Sequence, residues 1–117
     1  MEGAAVEGPA VEGAAVDGVR YEVDASTAVV TLDRPDRRNT VTYGMLDRLL
    51  ELFDRIDADD DVRAVIVTGA GDFFSAGTDL THAVGGASEP LRGGNRDVGG
   101  QLALRIFDCT KPVIAAV

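Results

Sequence analysis

The chain has 117 residues, 45% of them hydrophobic and 26% charged, with a formal net charge of −9. That length holds one small domain, and so acidic a balance argues against nucleic acid and anionic membrane as partners. No apolar run approaches a membrane span and no basic segment precedes an apolar one at the N-terminus, so neither an anchor nor a secretory signal is expected and the cytoplasm is the expected compartment. Cys109, the single cysteine, excludes an internal disulfide, and His82, the single histidine, cannot build a metal site with it. Cys109 reads as a small core residue and His82 as a surface or packing residue, and no metal is expected.

Residues 1–18 carry four acids and no base, and Ala4–Gly18 consists of three pentapeptides ending in Glu-Gly, Glu-Gly and Asp-Gly. A glycine at every fifth position frustrates helix and sheet alike, and one valine per unit buries too little to offset chain entropy. Residues 1–18 are therefore expected to form a disordered acidic tail before a domain spanning residues 19–117. Val19–Val23 alternates apolar and charged residues, Ala25-Ser26-Thr27 supplies a turn, and Ala28–Leu32 follows as a more buried strand, which together predict a hairpin.

Arg34-Pro35-Asp36-Arg37-Arg38-Asn39 then breaks the strand and holds three of the eleven cationic residues. Guanidinium forks suit phosphate oxygens, while the bland alternative is a solvated loop whose arginines offset nearby aspartates. Thr42 is placed to cap a helix, with Val41 as a staple on its first turn. Leu46, Leu49, Leu50, Phe53 and Ile56 recur at helical spacing and form a stripe for core packing. Asp59-Asp60-Asp61 lacks the spaced oxygens and glycine of a calcium loop and reads as solvated linker.

Ala64–Leu80 contains a β-branched run, a glycine turn, two phenylalanines and a small-residue corner. Val65, Ile66 and Val67 are continuous enough to predict a strand covered on both faces, as in a parallel sheet. Ser75-Ala76-Gly77 offers almost no side chain, so a ligand can approach the backbone closely and an N–H can become the working group. Gly69-x-Gly71 lacks the third glycine of a dinucleotide fingerprint, and Ser75 is not in a nucleophile elbow. An ordinary glycine-rich turn with nothing bound is the plain alternative. Residues 81–97 have little periodicity and are expected to form a mobile loop, with Glu89 inside it. Leu102, Arg105, Ile106 and Cys109 then share a helical face widened by Leu104 and Phe107, and Lys111–Val117 starts a buried strand.

Three of these segments, Arg34–Asn39, Phe74–Leu80 and Lys111–Val117, stand in the order of motifs in the crotonase (enoyl-CoA hydratase/isomerase) superfamily, and over Val19–Val117 the chain resembles the N-terminal part of such a domain. Thr40 departs from the usual alanine. The resemblance implies an α/β fold, the N-terminal part of a ββα spiral, acting on acyl-CoA thioesters. It implies that the backbone N–H of Thr78 is a catalytic oxyanion-hole donor, that Arg37 and Arg38 meet the CoA phosphates, and that Ala76, Gly77, Thr78, Asp79 and Leu80 line the substrate. Residues 81–97 would close over the acyl chain. No cofactor is implied, coenzyme A being part of the substrate, and a full family domain would form a homo-oligomer, a trimer or hexamer. A second oxyanion donor and the catalytic glutamates would lie beyond Val117. The alternative function is therefore an inactive fragment that binds ligand or partners, with the Val113–Val117 edge prone to pairing.

Overall fold

The computed structural model describes residues 10–11, 15–79 and 98–117. The described elements are β1 (Ala10–Val11), β2 (Val19–Asp24), β3 (Thr27–Leu32), α1 (Tyr43–Ala58), β4 (Ala64–Gly69), α2 (Val98–Phe107) and β5 (Val113–Ala116). The strands lie side by side in chain order. β1–β2 and β2–β3 are antiparallel, β3–β4 and β4–β5 parallel. Parallel neighbours need a crossover, and α1 supplies it between β3 and β4.

The hairpin pairs Val19 with Leu32 through to Asp24 with Thr27, so its loop is the two residues Ala25 and Ser26. Both have positive φ, 49° and 68°, which matches the strand twist but is unfavourable for residues with a Cβ. Alternation puts Val19 and Tyr21 of β2 and Ala28, Val30 and Leu32 of β3 into the core.

Thr42 caps α1 as expected: its hydroxyl accepts from Met45 N at 3.1 Å, and its own N–H faces Met45 Sδ at 3.5 Å. That reciprocal contact draws Met45 inward. The buried stripe is Met45, Leu49, Leu52, Phe53 and Ile56, while Leu46 and Leu50 are only half-buried. Val62 and Val65 complete the core.

At its far end α1 is locked to the α2–β5 segment. Lys111 Nζ donates to the carbonyls of Ile56, Asp59 and Val62 at 3.0, 2.8 and 2.6 Å, placing a cation against the last turn of α1 and the turn that follows it. Arg105 pairs with Asp54 and Asp57, and Asp57 also accepts from the Thr110 backbone and hydroxyl and from Cys109 Sγ. Burial alone would raise the Asp57 carboxyl, but Arg105 and these donors hold it well below the usual carboxylate range. Burial pushes the Cys109 thiol up, so this half-buried cysteine has little thiolate character.

Four expectations need correction. Ala10–Val11 is not formless tail, because it pairs with Val23 and Glu22 as an edge strand; residues 1–9 and 12–14 lie outside the described residues. Val65 is fully buried, but Ile66, which alternation turns to the opposite face, is only half-covered, and so is Val67, which packs against the edge of the core. Leu104 and Phe107 do not widen the α2 core face: Phe107 is 83% exposed, since Leu102 and Ile106 already take the contact with the core. β5 is not a buried strand either, with Ile114 exposed and Val117 97% exposed, because its recorded ladder is with β4 alone.

Two stability measurements follow from these contacts. Replacing Ala25-Ser26 by Asn-Gly, residues that tolerate positive φ, is expected to raise the urea unfolding free energy by about 1 kcal/mol. Asp57→Asn is expected to cost about 2 kcal/mol at neutral pH by loss of charge-assisted bonds. Because the folded carboxyl lies below its ordinary 3.8, its contribution is complete above that value and is lost as pH falls through the folded one. Unfolding curves of wild type and variant should therefore converge on acidification.

Candidate functional site

Two loops meet at the carboxyl ends of the adjacent parallel strands β3 and β4, whose last paired residues are Leu32 and Gly69. Such ends are where open α/β sheets bind ligands. Asn39 joins the loops. Fully buried and at φ 55°, it donates from Nδ2 to Ala70 O at 2.9 Å and Phe73 O at 2.7 Å, and its Oδ1 accepts from Arg34 N at 2.8 Å. Its carbonyl accepts from Ser75 Oγ at 2.9 Å, and the same hydroxyl accepts from Gly77 N at 3.1 Å.

The turn after β4 closes so tightly that a Cβ on Gly69 would sit 2.3 Å from the carbonyl oxygens of Phe73 and Phe74. Gly77 is glycine for a different reason: there is open space around a Cβ, but its φ of 110° disfavours any other residue.

Thr78 pairs with Val41 in an isolated parallel bridge, with Val41 N donating to Gly77 O at 2.8 Å and Asp79 N donating to Val41 O at 2.9 Å. In a trans peptide the C=O and N–H point in opposite directions. Since Gly77 C=O faces Val41, the N–H of Thr78 points away from it, and among the described residues nothing accepts that N–H. Ala76 N donates to Arg38 O at 3.0 Å and Gly77 N to Ser75 Oγ, so Thr78 has the available donor at this corner.

Charge is arranged beside it. Arg34 Nη1 donates to Asp79 Oδ2 at 3.1 Å, and the half-exposed Arg37 approaches the same oxygen at 3.7 Å. Arg38 lies over the exposed Phe73 ring, 5.5 Å from its centroid. An apolar cavity of about 220 Å³ runs inward from Phe74 and Ser75 between the sheet and the helices, lined also by Val41, Leu46, Phe53 and Ile106.

Arg37, Arg38, Ala76, Gly77 and Thr78 lie where the two loops meet. Asp79 is not available as a substrate contact: its carboxylate is 3% exposed and engaged by Arg34, which corrects that expectation. Leu80, His82, Glu89 and the rest of residues 80–97 lie outside the described residues. Sequence reasoning missed the anchoring roles of Arg34, Asn39 and Ser75. The signal for Asn39 was its place directly after two arginines in a loop that must reverse, since asparagine tolerates the left-handed region.

A sheet with antiparallel and parallel halves, crossed by α1, and a backbone donor presented by a small-residue corner define a crotonase-type fold. The family model described as enoyl-CoA hydratase/isomerase matches residues 22–117, and the chain belongs to that family. It is 44% identical over 90 residues to enoyl-CoA hydratase AKT3-2 of Alternaria alternata, covering 77% of this chain and 30% of that protein. Among solved structures, an enoyl-CoA hydratase/isomerase from Xanthobacter autotrophicus Py2 superposes with a TM-score of 0.77 at 34% identity, covering 88% of this chain and 39% of that one. Enoyl-CoA hydratase from Mycobacterium tuberculosis H37Rv gives 0.66 at 33%, covering 86% and 39%. The chain spans about a third of the length of the first of these relatives.

Asn39→Ala would strand two buried carbonyls and one N–H, each unmet group costing about 1 to 3 kcal/mol. Chemical unfolding should show a loss of about 3 kcal/mol or more, and Gly69→Ala a comparable loss through backbone collision.

Proposed function

We propose that this chain binds the thioester end of an acyl-CoA, with the Thr78 N–H as one hydrogen-bond donor to the thioester oxygen. The observation that carries it is the direction of that N–H, turned away from Val41 and left without a partner among the described residues. When a proton leaves the carbon next to a thioester, or a nucleophile adds to its conjugated double bond, negative charge gathers on the carbonyl oxygen. A donor already aimed there stabilises that charge without reorganising, which is typically worth about 3 to 4 kcal/mol of barrier.

Arg37 and Arg38 are suited to the phosphates of the nucleotide end, standing where the two loops meet in a chain of net charge −9. The apolar cavity inward of Ser75 suits a hydrocarbon acyl chain. Family membership supports thioester chemistry, and the enzyme names of the relatives point to hydration or isomerisation of an enoyl group.

Binding without turnover is the second reading. Asp79, the carboxylate next to Thr78, is sequestered by Arg34 and is not free to take a proton or activate water, and a general base must be within hydrogen-bond reach of its proton.

The experiment is titration with crotonyl-CoA labelled with carbon-13 at the thioester carbonyl. Bound ligand should show its carbonyl stretch moved to lower frequency, and Thr78→Pro, which deletes the N–H, should abolish the shift; a shift that survives this change would sink the assignment. Loss of enoyl absorbance in the same samples separates turnover from binding. Arg37→Ala with Arg38→Ala should weaken crotonyl-CoA by roughly 10- to 100-fold while leaving crotonyl-pantetheine, which has no nucleotide, unchanged.

A further inference from the structure

The carboxylate removed from the ligand contacts has a position that suggests other work. A single nitrogen of Arg34, Nη1, donates to Asp79 Oδ2 at 3.1 Å, to the Thr40 carbonyl at 2.8 Å and to the Thr40 hydroxyl at 3.3 Å. It therefore joins both sides of the corner, Thr40–Val41 and Thr78–Asp79.

The need for such a tie is visible in the backbone. Val41 and Thr78 form an isolated bridge, not a rung of a longer ladder. Two backbone bonds, both on Val41, hold the Gly77–Asp79 segment, and the Ser75 hydroxyl accepts from Gly77 N at its amino-terminal end, so without a side-chain anchor the carboxyl-terminal end could pivot about Val41. On the amino-terminal side of Thr78 stands Gly77, with open space where a Cβ would lie, so nothing packed there resists rotation. The Asp79 side chain, 3% exposed, anchors the segment from the carboxyl-terminal side. Hydrogen bonds weaken steeply as they bend, so a donor on a pivoting segment would be poor at holding an oxygen.

We propose that Asp79 is a positioning residue: clamped by Arg34, it stops the 77–79 segment from pivoting and so fixes the direction of the Thr78 N–H. This rests on the assignment of Thr78 as the thioester donor. Asp79 touches no substrate atom and transfers no proton. Arg37, at the looser 3.7 Å, adds charge to the clamp from a half-exposed position.

The test uses the full chain and carbon-13 crotonyl-CoA at saturation, with the carbonyl stretch of bound ligand read by difference infrared spectroscopy. Asp79→Asn keeps the shape and removes the charge. It is expected to bind with little change in affinity, because the contacts to the nucleotide end remain, and to lose more than half of the frequency shift with a broadened band. A purely structural role would lower thermal stability and the bound fraction together while leaving the band of bound ligand where it was; that outcome overturns the proposal. If Asp79→Asn does not fold, Arg34→Met combined with Asp79→Leu removes both buried charges without stranding either, and the same loss is expected. A wild-type shift that disappears in Thr78→Pro but survives in the Asp79 variants refutes only the positioning role. A wild type with no shift refutes the assignment of Thr78 and this inference with it.

Discussion

The corner depends on the side-chain amide of Asn39. Two sharp reversals, one after β3 and one after β4, leave backbone groups with no strand to pair them. Buried carbonyls without donors are costly, and Asn39 supplies both missing donors to the second loop while accepting the Arg34 N–H of its own. To reach that place Arg38 and Asn39 adopt successive left-handed conformations, φ 54° and 55°. Asparagine tolerates this better than most residues; for Arg38 the strain is offset by its carbonyl, which accepts from Ala76 N. Around the corner the N–H groups of Ala76, Gly77 and Asp79 are thus met by Arg38, Ser75 and Val41, while that of Thr78 has no partner among the described residues.

Much of the fold was legible because its elements follow single periods. The alternation in Val19–Val23, the stripe on α1 and the β-branched run before Gly69 each signal one structure, and all three appear in their places. What was not legible depends on a second chain segment. Met45 displaces Leu46 from the core because its sulfur meets the cap, a contact no periodicity encodes. The exposure of Phe107 and Ile114 reflects what packs against them among the described residues, not their own hydrophobicity. Asp79 was placed among the ligand contacts by the resemblance of its motif; only the return of Arg34 across 45 residues shows that its carboxylate is spoken for. Lys111 similarly gave no sign that three carbonyls around the end of α1 would claim it.

α1 connects these two sets of contacts. Its 16 residues make a strut of about 24 Å whose first turn follows Val41 directly and whose last turn receives Lys111 and Arg105. Cations at the carboxyl end complement the helix dipole there, and the capped amino end carries the positive pole toward the corner. The same packing that buries Leu49, Leu52 and Phe53 therefore sets where Val41 stands relative to the sheet.

That placement bears on the donor role proposed for Thr78. Val41 holds the carbonyl of Gly77, so any displacement of α1 relative to the sheet is transmitted through one hydrogen bond to the peptide whose other end is the Thr78 N–H. A backbone donor has no rotamers of its own with which to compensate, unlike a side-chain donor. It is pre-aimed as long as the scaffold is rigid and misdirected as soon as it is not. Electrostatic stabilisation of a developing charge relies on dipoles fixed before the charge appears. The concentration of buried polar contacts on a corner with so few side chains is thus what the donor role proposed for its amide would require.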